Sequence, residues 1–244
     1  MEKELFTLKE LKGDEKMFKI IRISPSIIAT DYKNRENLSA TLRTLEKAGC
    51  QLVHLDVMDG KFVKNITFNE ELVDFIKGQT TLLLDVHLMV EHPEQEVDKY
   101  IKAGADILTV HYENTPNLVE VLKYIRSKNI LAGVAISPST PVIKIKDILT
   151  EDLADVVIVM GVKPGASGQN FIPGSAEKVA EVRELNKNVF ISIDGGVNLK
   201  NAKILRKLGA NILVSGKTIF TSKNIRKTVR ALKGRPFVRG IYSL

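Results

Sequence analysis

The stretch Ala48-Gly49-Cys50-Gln51-Leu52-Val53-His54-Leu55-Asp56-Val57-Met58-Asp59-Gly60 holds, in order, a helix stop, a buried strand and a polar strand end. Glycine is the usual residue where a helix terminates, because it enters the left-handed region without a Cβ penalty. The run 52–57 behind it is apolar except at His54 and Asp56. Side chains alternate with period two along a strand, so His54, Asp56 and Met58 share one face. The same order of events recurs elsewhere: Ala103-Gly104-Ala105 and Leu208-Gly209-Ala210 each end a helical pattern and precede an apolar run. This echo marks a repeated β-α unit and carries no catalytic content of its own.

Outward from that stretch, short apolar runs fall at 22–28, 52–57, 82–88, 107–111, 131–136, 156–160, 190–194 and 212–215. Helical patterns lie between and after them, at 37–48, 70–77, 93–103, 118–128, 142–149, 175–186, 199–208 and 224–233. Eight alternations with no linker predict a parallel sheet closed into a single (β/α)8 TIM barrel, an α/β fold. The length of 244 residues suits one such barrel, which typically needs about 250. The expected organisation is an N-terminal extension over 1–19 and a catalytic barrel over 20–244.

Composition excludes several classes. With 44% apolar and 27% charged residues, the chain is neither disordered nor fibrous. The single cysteine, Cys50, rules out an internal disulfide, suits a reducing compartment and reads as a small buried hydrophobe near a helix end. Charges scattered from Glu2 to Lys19 leave no apolar signal-peptide stretch, and no segment approaches the roughly 20 apolar residues of a membrane span. The formal charge of +7 is concentrated at Lys223, Arg226, Lys227, Arg230, Lys233, Arg235 and Arg239, a pattern of a solvated helix face and tail. We therefore expect a cytoplasmic protein that binds neither nucleic acid nor membrane; a homo-oligomer is a separate expectation that composition does not supply.

In a parallel barrel, catalytic groups collect where strands end and βα-loops begin. His54 and Asp56 end the second run, His87 the third and Asp194 the seventh. A lone strand-end His or Asp is explained by a bond to loop backbone. The four together, from three strand ends, point to a mixed N/O site for one divalent transition metal. His111 also ends a strand, but Tyr112-Glu113 shows no further ligand pattern, so His111 takes a supporting or structural role. His92, beside Pro93, faces solvent ahead of a helix.

Glycine loops follow the later strands: Pro164-Gly165-Ala166-Ser167-Gly168-Gln169, Gly195-Gly196 and Ser215-Gly216-Lys217-Thr218. Backbone N–H groups in such loops form an anion cradle, and the turns after strands 7 and 8 are the usual barrel phosphate site. With a ketose phosphate held there, a metal at the mouth would stabilise an enediolate as a Lewis acid. Asp56 and Asp194, from well-separated strands, could flank that flat intermediate and exchange protons with its two faces. Met58, Met89 and Met160 also sit at strand ends, where core filling and a polarizable wall are equally good readings.

These motifs resemble the ribulose-phosphate 3-epimerase family from about Ile23 to Phe220. The resemblance is carried by Ser24-Pro25-Ser26-Ile27, by 54–60 with Asn65-Ile66-Thr67, by Asp85-Val86-His87-Leu88-Met89-Val90, by Val159-Met160 with Pro164-Gly165, and by Asp194-Gly195-Gly196. It implies interconversion of D-ribulose 5-phosphate and D-xylulose 5-phosphate. It also implies one divalent ion (zinc, iron, manganese or cobalt) on His54, Asp56, His87 and Asp194, with Asp56 and Asp194 as the acid–base pair. Ser26 and His87 would contact substrate, and Gly165, Gly168, Gly195, Gly196 and Gly216 would lie along it. The loop usually reading PGFGGQ here has Ala166 and Ser167 in place of an aromatic and a glycine, which keeps a six-carbon substrate such as allulose 6-phosphate as the alternative. Lys163 and Lys217 are further departures, and Lys217 is read equally as a point charge for phosphate or as a lysine turned to solvent. A catalytically silent phosphate-ligand or nucleic-acid binder is the remote alternative.

Overall fold

The computed structural model describes residues 20–166 and 168–234; the extension over 1–19, Ser167, Arg235 and Arg239 lie outside them. Each apolar run becomes a parallel strand: β1 Arg22–Ser24, β2 Leu52–Met58, β3 Leu83–Met89, β4 Ile107–His111, β5 Leu131–Ile136, β6 Val156–Met160, β7 Phe190–Asp194 and β8 Ile212–Val214. They hydrogen-bond in the order β1-β8-β7-β6-β5-β4-β3-β2. The two edges meet through one parallel bridge between Ser26 and His54, where the His54 N–H donates to the Pro25 carbonyl at 3.0 Å. That stitch closes the wall into a (β/α)8 barrel.

The helices are α1 Arg35–Lys47, α2 Glu70–Gln79, α3 Pro93–Lys102, α4 Leu118–Ser127, α5 Lys146–Thr150, α6 Ser175–Leu185, α7 Ala202–Leu208, α8 Lys217–Phe220 and α9 Ile225–Leu232. Several start where their sequence says they should. Asn34, Asn69 and Asn224 accept from the N–H three residues on, and Pro93 occupies a first turn whose N–H groups lack helical partners. α1 buries Leu38, Leu42 and Leu45, a stripe at helical spacing, each contributing roughly 1.5–3 kcal/mol by leaving water. Among the described residues no helix is long and apolar enough to cross a membrane.

Three boundaries differ from the sequence reading by more than two residues. The run 22–28 stops as a strand at Ser24, because Pro25 has no N–H for the ladder, and Ile27–Ala29 turns into a 3-10 helix. Ile27 stays fully buried there, which is why the apolar signal continued. The pattern 142–149 is a 3-10 turn, Val142–Ile145, before α5. At 199–208 the helix starts only at Ala202, since the Asn198 side chain accepts from Lys200 and Asn201 and holds a turn that leaves Leu199 exposed.

The barrel interior is layered. Leu52, Leu83, Ile107, Leu131, Val156, Phe190 and Ile212 belong to the apolar cluster that fills it. In the β2–β3 register, Leu52 pairs Leu83, His54 pairs Asp85, Asp56 pairs His87 and Met58 pairs Met89. Climbing either strand two residues at a time therefore passes from apolar floor to ionisable groups to a methionine rim.

Candidate active site

Candidate ligand atoms of His54, Asp56, His87 and Asp194 all lie within 4.8 Å of one another. His54 Nε2 is 3.2 Å from Asp56 Oδ1 and 3.8 Å from Asp194 Oδ2. His87 Nδ1 is 3.7 Å from each of the same two oxygens. Both imidazoles are wholly buried, and His54 Nε2 and His87 Nδ1 have no hydrogen-bond partner. A buried ring nitrogen without a partner is costly unless something else accepts its lone pair. Two such nitrogens facing two carboxylates match the donor set and charge of a divalent transition-metal site, so the residues present fit a cation.

The electrostatics lead to the same reading. Burial alone would raise Asp56, but the imidazoles of His54 and His87 overcome it and hold the carboxyl well below the usual range. Asp194 moves the other way, pushed up by burial and by Asp56 alongside. Burial opposes a charge on His54, yet Asp85 and Asp56 raise it well above an ordinary histidine. The cluster draws positive charge inward. His87 and His111 are lowered by burial, His111 to about 4.

Groups beneath the cluster fix its geometry. Asp85 Oδ2 sits 2.7 Å from His54 Nδ1 and accepts from the Ser24 hydroxyl at 2.9 Å, so His54 is held by the nitrogen facing away from the cluster. Ser26 donates to Asp56 Oδ2 at 2.6 Å. His111 touches His87 as a supporting group, Nε2 to Nε2 at 2.9 Å. It is itself held by Glu113, a partner the sequence reading did not assign. His92 is more than half exposed, beside Glu91 and Glu94. Cys50 is a buried free thiol, as its sequence context predicts.

Above the cluster opens a pocket of about 240 Å³. Ser26, Asp56, Met58, Met89, Met160, Gly165, Ala166, Gly168, Asp194, Gly195, Gly196, Gly216 and Lys217 all line it. His54 and His87 are not lining residues; they lie beneath. Gly195 and Gly196 have φ of +102° and +69°, and a Cβ at Gly196 would meet the Phe171 backbone nitrogen at 2.6 Å. Only glycine lets β7 turn there and admit Phe171. The loop after β6, lacking the aromatic, is braced by the Gln169 amide, which donates to Lys163 O at 2.7 Å and Ala166 O at 3.0 Å. Asn65, from the loop after β2, donates to Gly165 O and ties the two loops over the mouth. Asp59 joins the loops after β2 and β3 by accepting from the N–H groups of Lys61, Phe62 and Glu91.

Fold and cluster together define a (β/α)8-barrel enzyme whose mouth can hold a metal ion beneath a glycine-lined pocket. The profile of the ribulose-phosphate 3 epimerase family matches residues 22–220. A ribulose-phosphate 3-epimerase of Bacillus subtilis is 38% identical over 220 residues, covering 88% of this chain and 99% of that protein. The chloroplastic ribulose-5-phosphate-3-epimerase of Arabidopsis thaliana is 40% identical, covering 87% of this chain and 76% of that one. The chain belongs to the ribulose-phosphate 3-epimerase family and is an isomerase. Among solved structures, 3-keto-L-gulonate-6-phosphate decarboxylase of Vibrio cholerae superposes with a TM-score of 0.62 at 14% identity, covering 88% of this chain and 96% of that one, a likeness of fold.

Proposed function

We propose that this chain interconverts D-ribulose 5-phosphate and D-xylulose 5-phosphate by passing protons at C3 between the substrate and two carboxylates, Asp56 and Asp194. The observation that carries the reading is the pair itself: two buried carboxylates at the ends of β2 and β7, with oxygens within 4.8 Å of each other, both lining the pocket. Two carboxylates from separate strands beneath one pocket can serve as base and acid on the two faces of a flat intermediate. Asp56, oriented by the Ser26 hydroxyl, removes the proton from one face. Asp194 delivers a proton to the other, and the roles exchange in the reverse direction. The result is inversion at one carbon.

His54, Asp56, His87 and Asp194 would hold the divalent cation, which supplies Lewis-acid stabilisation of the negative charge that develops on the substrate oxygens. Zinc, iron, manganese and cobalt all accept two imidazoles and two carboxylates. Asp85 keeps the His54 ring turned so that Nε2 faces the cluster. Met58, Met89 and Met160 are buried yet line the pocket, so they act as a dry wall against the planar intermediate.

The phosphate belongs at the far end, among Gly168, Gly195, Gly196, Gly216, Asn198 and Thr218. Lys163 and Lys217 line the same end. A Cβ on Gly168 would lie 3.9 Å from Lys217 Cδ, so the lysine stem runs beside the loop after β6. This favours Lys217 as a point charge on the phosphate over a lysine turned away. The single cysteine, with no disulfide partner in the chain, suits a reducing compartment, and we assign the protein to the cytoplasm as a self-associating enzyme. Steady-state turnover of the pentulose and hexulose phosphates tests the substrate: a much higher kcat/KM for the six-carbon sugar would overturn the assignment.

A further inference from the structure

The end of β4 carries a hydrogen-bond chain that the proton transfer above does not use. His87 Nε2 meets His111 Nε2 at 2.9 Å, and His111 Nδ1 meets Glu113 Oε2 at 2.9 Å. The other oxygen, Glu113 Oε1, accepts from the Ser137 N–H at 2.7 Å and from the Thr140 hydroxyl. That loop is clamped in turn by Lys178, whose Nζ donates to the carbonyls of Ser137, Pro138 and Thr140.

Both rings are wholly buried, which disfavours their charged forms. For neutral rings a single arrangement of protons satisfies the chain. A carboxylate only accepts, so His111 carries its hydrogen on Nδ1. His111 Nε2 is then bare and accepts from the Nε2–H of His87. The remaining nitrogen, His87 Nδ1, is left without a hydrogen, and it is this atom that faces Asp56 and Asp194 with no partner.

We propose that Glu113 is a positioning residue that acts through His111 to lock His87 in the Nε2–H tautomer, keeping the Nδ1 lone pair open toward the divalent cation. The proposal rests on reading the four-residue cluster as a cation site.

Glu113→Gln reverses the chain while keeping its shape. The amide oxygen is still required by the Ser137 N–H and the Thr140 hydroxyl, so the NH2 turns to His111 Nδ1 and donates. His111 must then carry its hydrogen on Nε2 and donate to His87 Nε2, which moves the His87 hydrogen to Nδ1, into the site. Two measurements on the full chain test this. Long-range 15N–1H correlation spectra of the metal-free protein should place the His87 hydrogen on Nε2 in the wild type and on Nδ1 in Glu113→Gln. Titration with Co²⁺, followed by visible absorption, should show affinity about 10–100-fold weaker in the variant, the usual cost of losing a partner that orients a ligand. A wild-type His87 protonated on Nδ1, or a variant binding Co²⁺ within about twofold of wild type, overturns the proposal. Should the variant not fold, the wild-type spectrum alone decides. A wild type that binds no Co²⁺ refutes the cation reading, and with it the purpose proposed for the lock, while the spectrum still reports the tautomer.

Discussion

Replacing Asp194 by Asn removes the acid on one face and leaves Asp56 intact on the other. General acid–base transfer by a positioned group contributes about 10²–10⁴-fold, or roughly 3–5 kcal/mol of barrier. Asp194 is only 8% exposed, and bulk water cannot readily take over its proton, so the loss belongs in the upper half of that range. Epimerisation by Asp194→Asn, assayed at saturating metal, should therefore fall about 10³–10⁴-fold. The remaining carboxylate still removes and returns a proton on its own face. Substrate deuterated at C3 should lose its label to water without forming product, but only for the epimer whose C3–H points at Asp56. Asp56→Asn should show the mirror pattern, washing label out of the opposite epimer. NMR of both labelled epimers in each variant checks this. The reasoning is refuted if both variants wash out the same epimer, or if either retains epimerisation within about tenfold of wild type.

Two further outcomes follow from the described geometry. Gly196→Ala places a Cβ in the left-handed region against the Phe171 backbone, at about 1–2 kcal/mol for the conformation before any clash, so the midpoint of thermal unfolding should drop by at least about 2 °C; an unchanged Tm would contradict the close approach. Burial pushes the Cys50 thiol up to about 12, against a smaller opposing pull from Lys233, leaving almost no thiolate at about pH 8. The native protein should not react there with Ellman's reagent and should release one equivalent on unfolding, whereas rapid native labelling would show the thiol to be exposed.

The barrel and its four central groups were legible because each depends on local pattern. Strand alternation alone puts His54 and Asp56 on one face, and the helix-stop glycines mark where each unit restarts. Asp85 and Glu113 were not legible as supports, since their roles depend on what lies across the ladder. Asp85 reaches His54 only because β2 and β3 pair in the register that sets those two residues side by side. Glu113 had no visible partner because the donors it serves, Ser137 and Thr140, follow a different strand. Pro25 and Asn198 are local signals that run against the apolar pattern: the missing N–H of Pro25 ends β1 at Ser24 although Ile27 behind it stays buried, and the Asn198 turn delays α7 to Ala202.

The barrel wall is sewn shut at a single point, where Ser26 bridges His54. Ser26 also grips Asp56, and His54 is itself one of the four central groups. The seam of the cylinder and the reacting centre are thus one construction. A polypeptide cut or permuted between β1 and β2 would have to re-form its chemistry and its closure in the same event. Assembly of the last stitch and acquisition of activity should then be inseparable steps in the maturation of this chain.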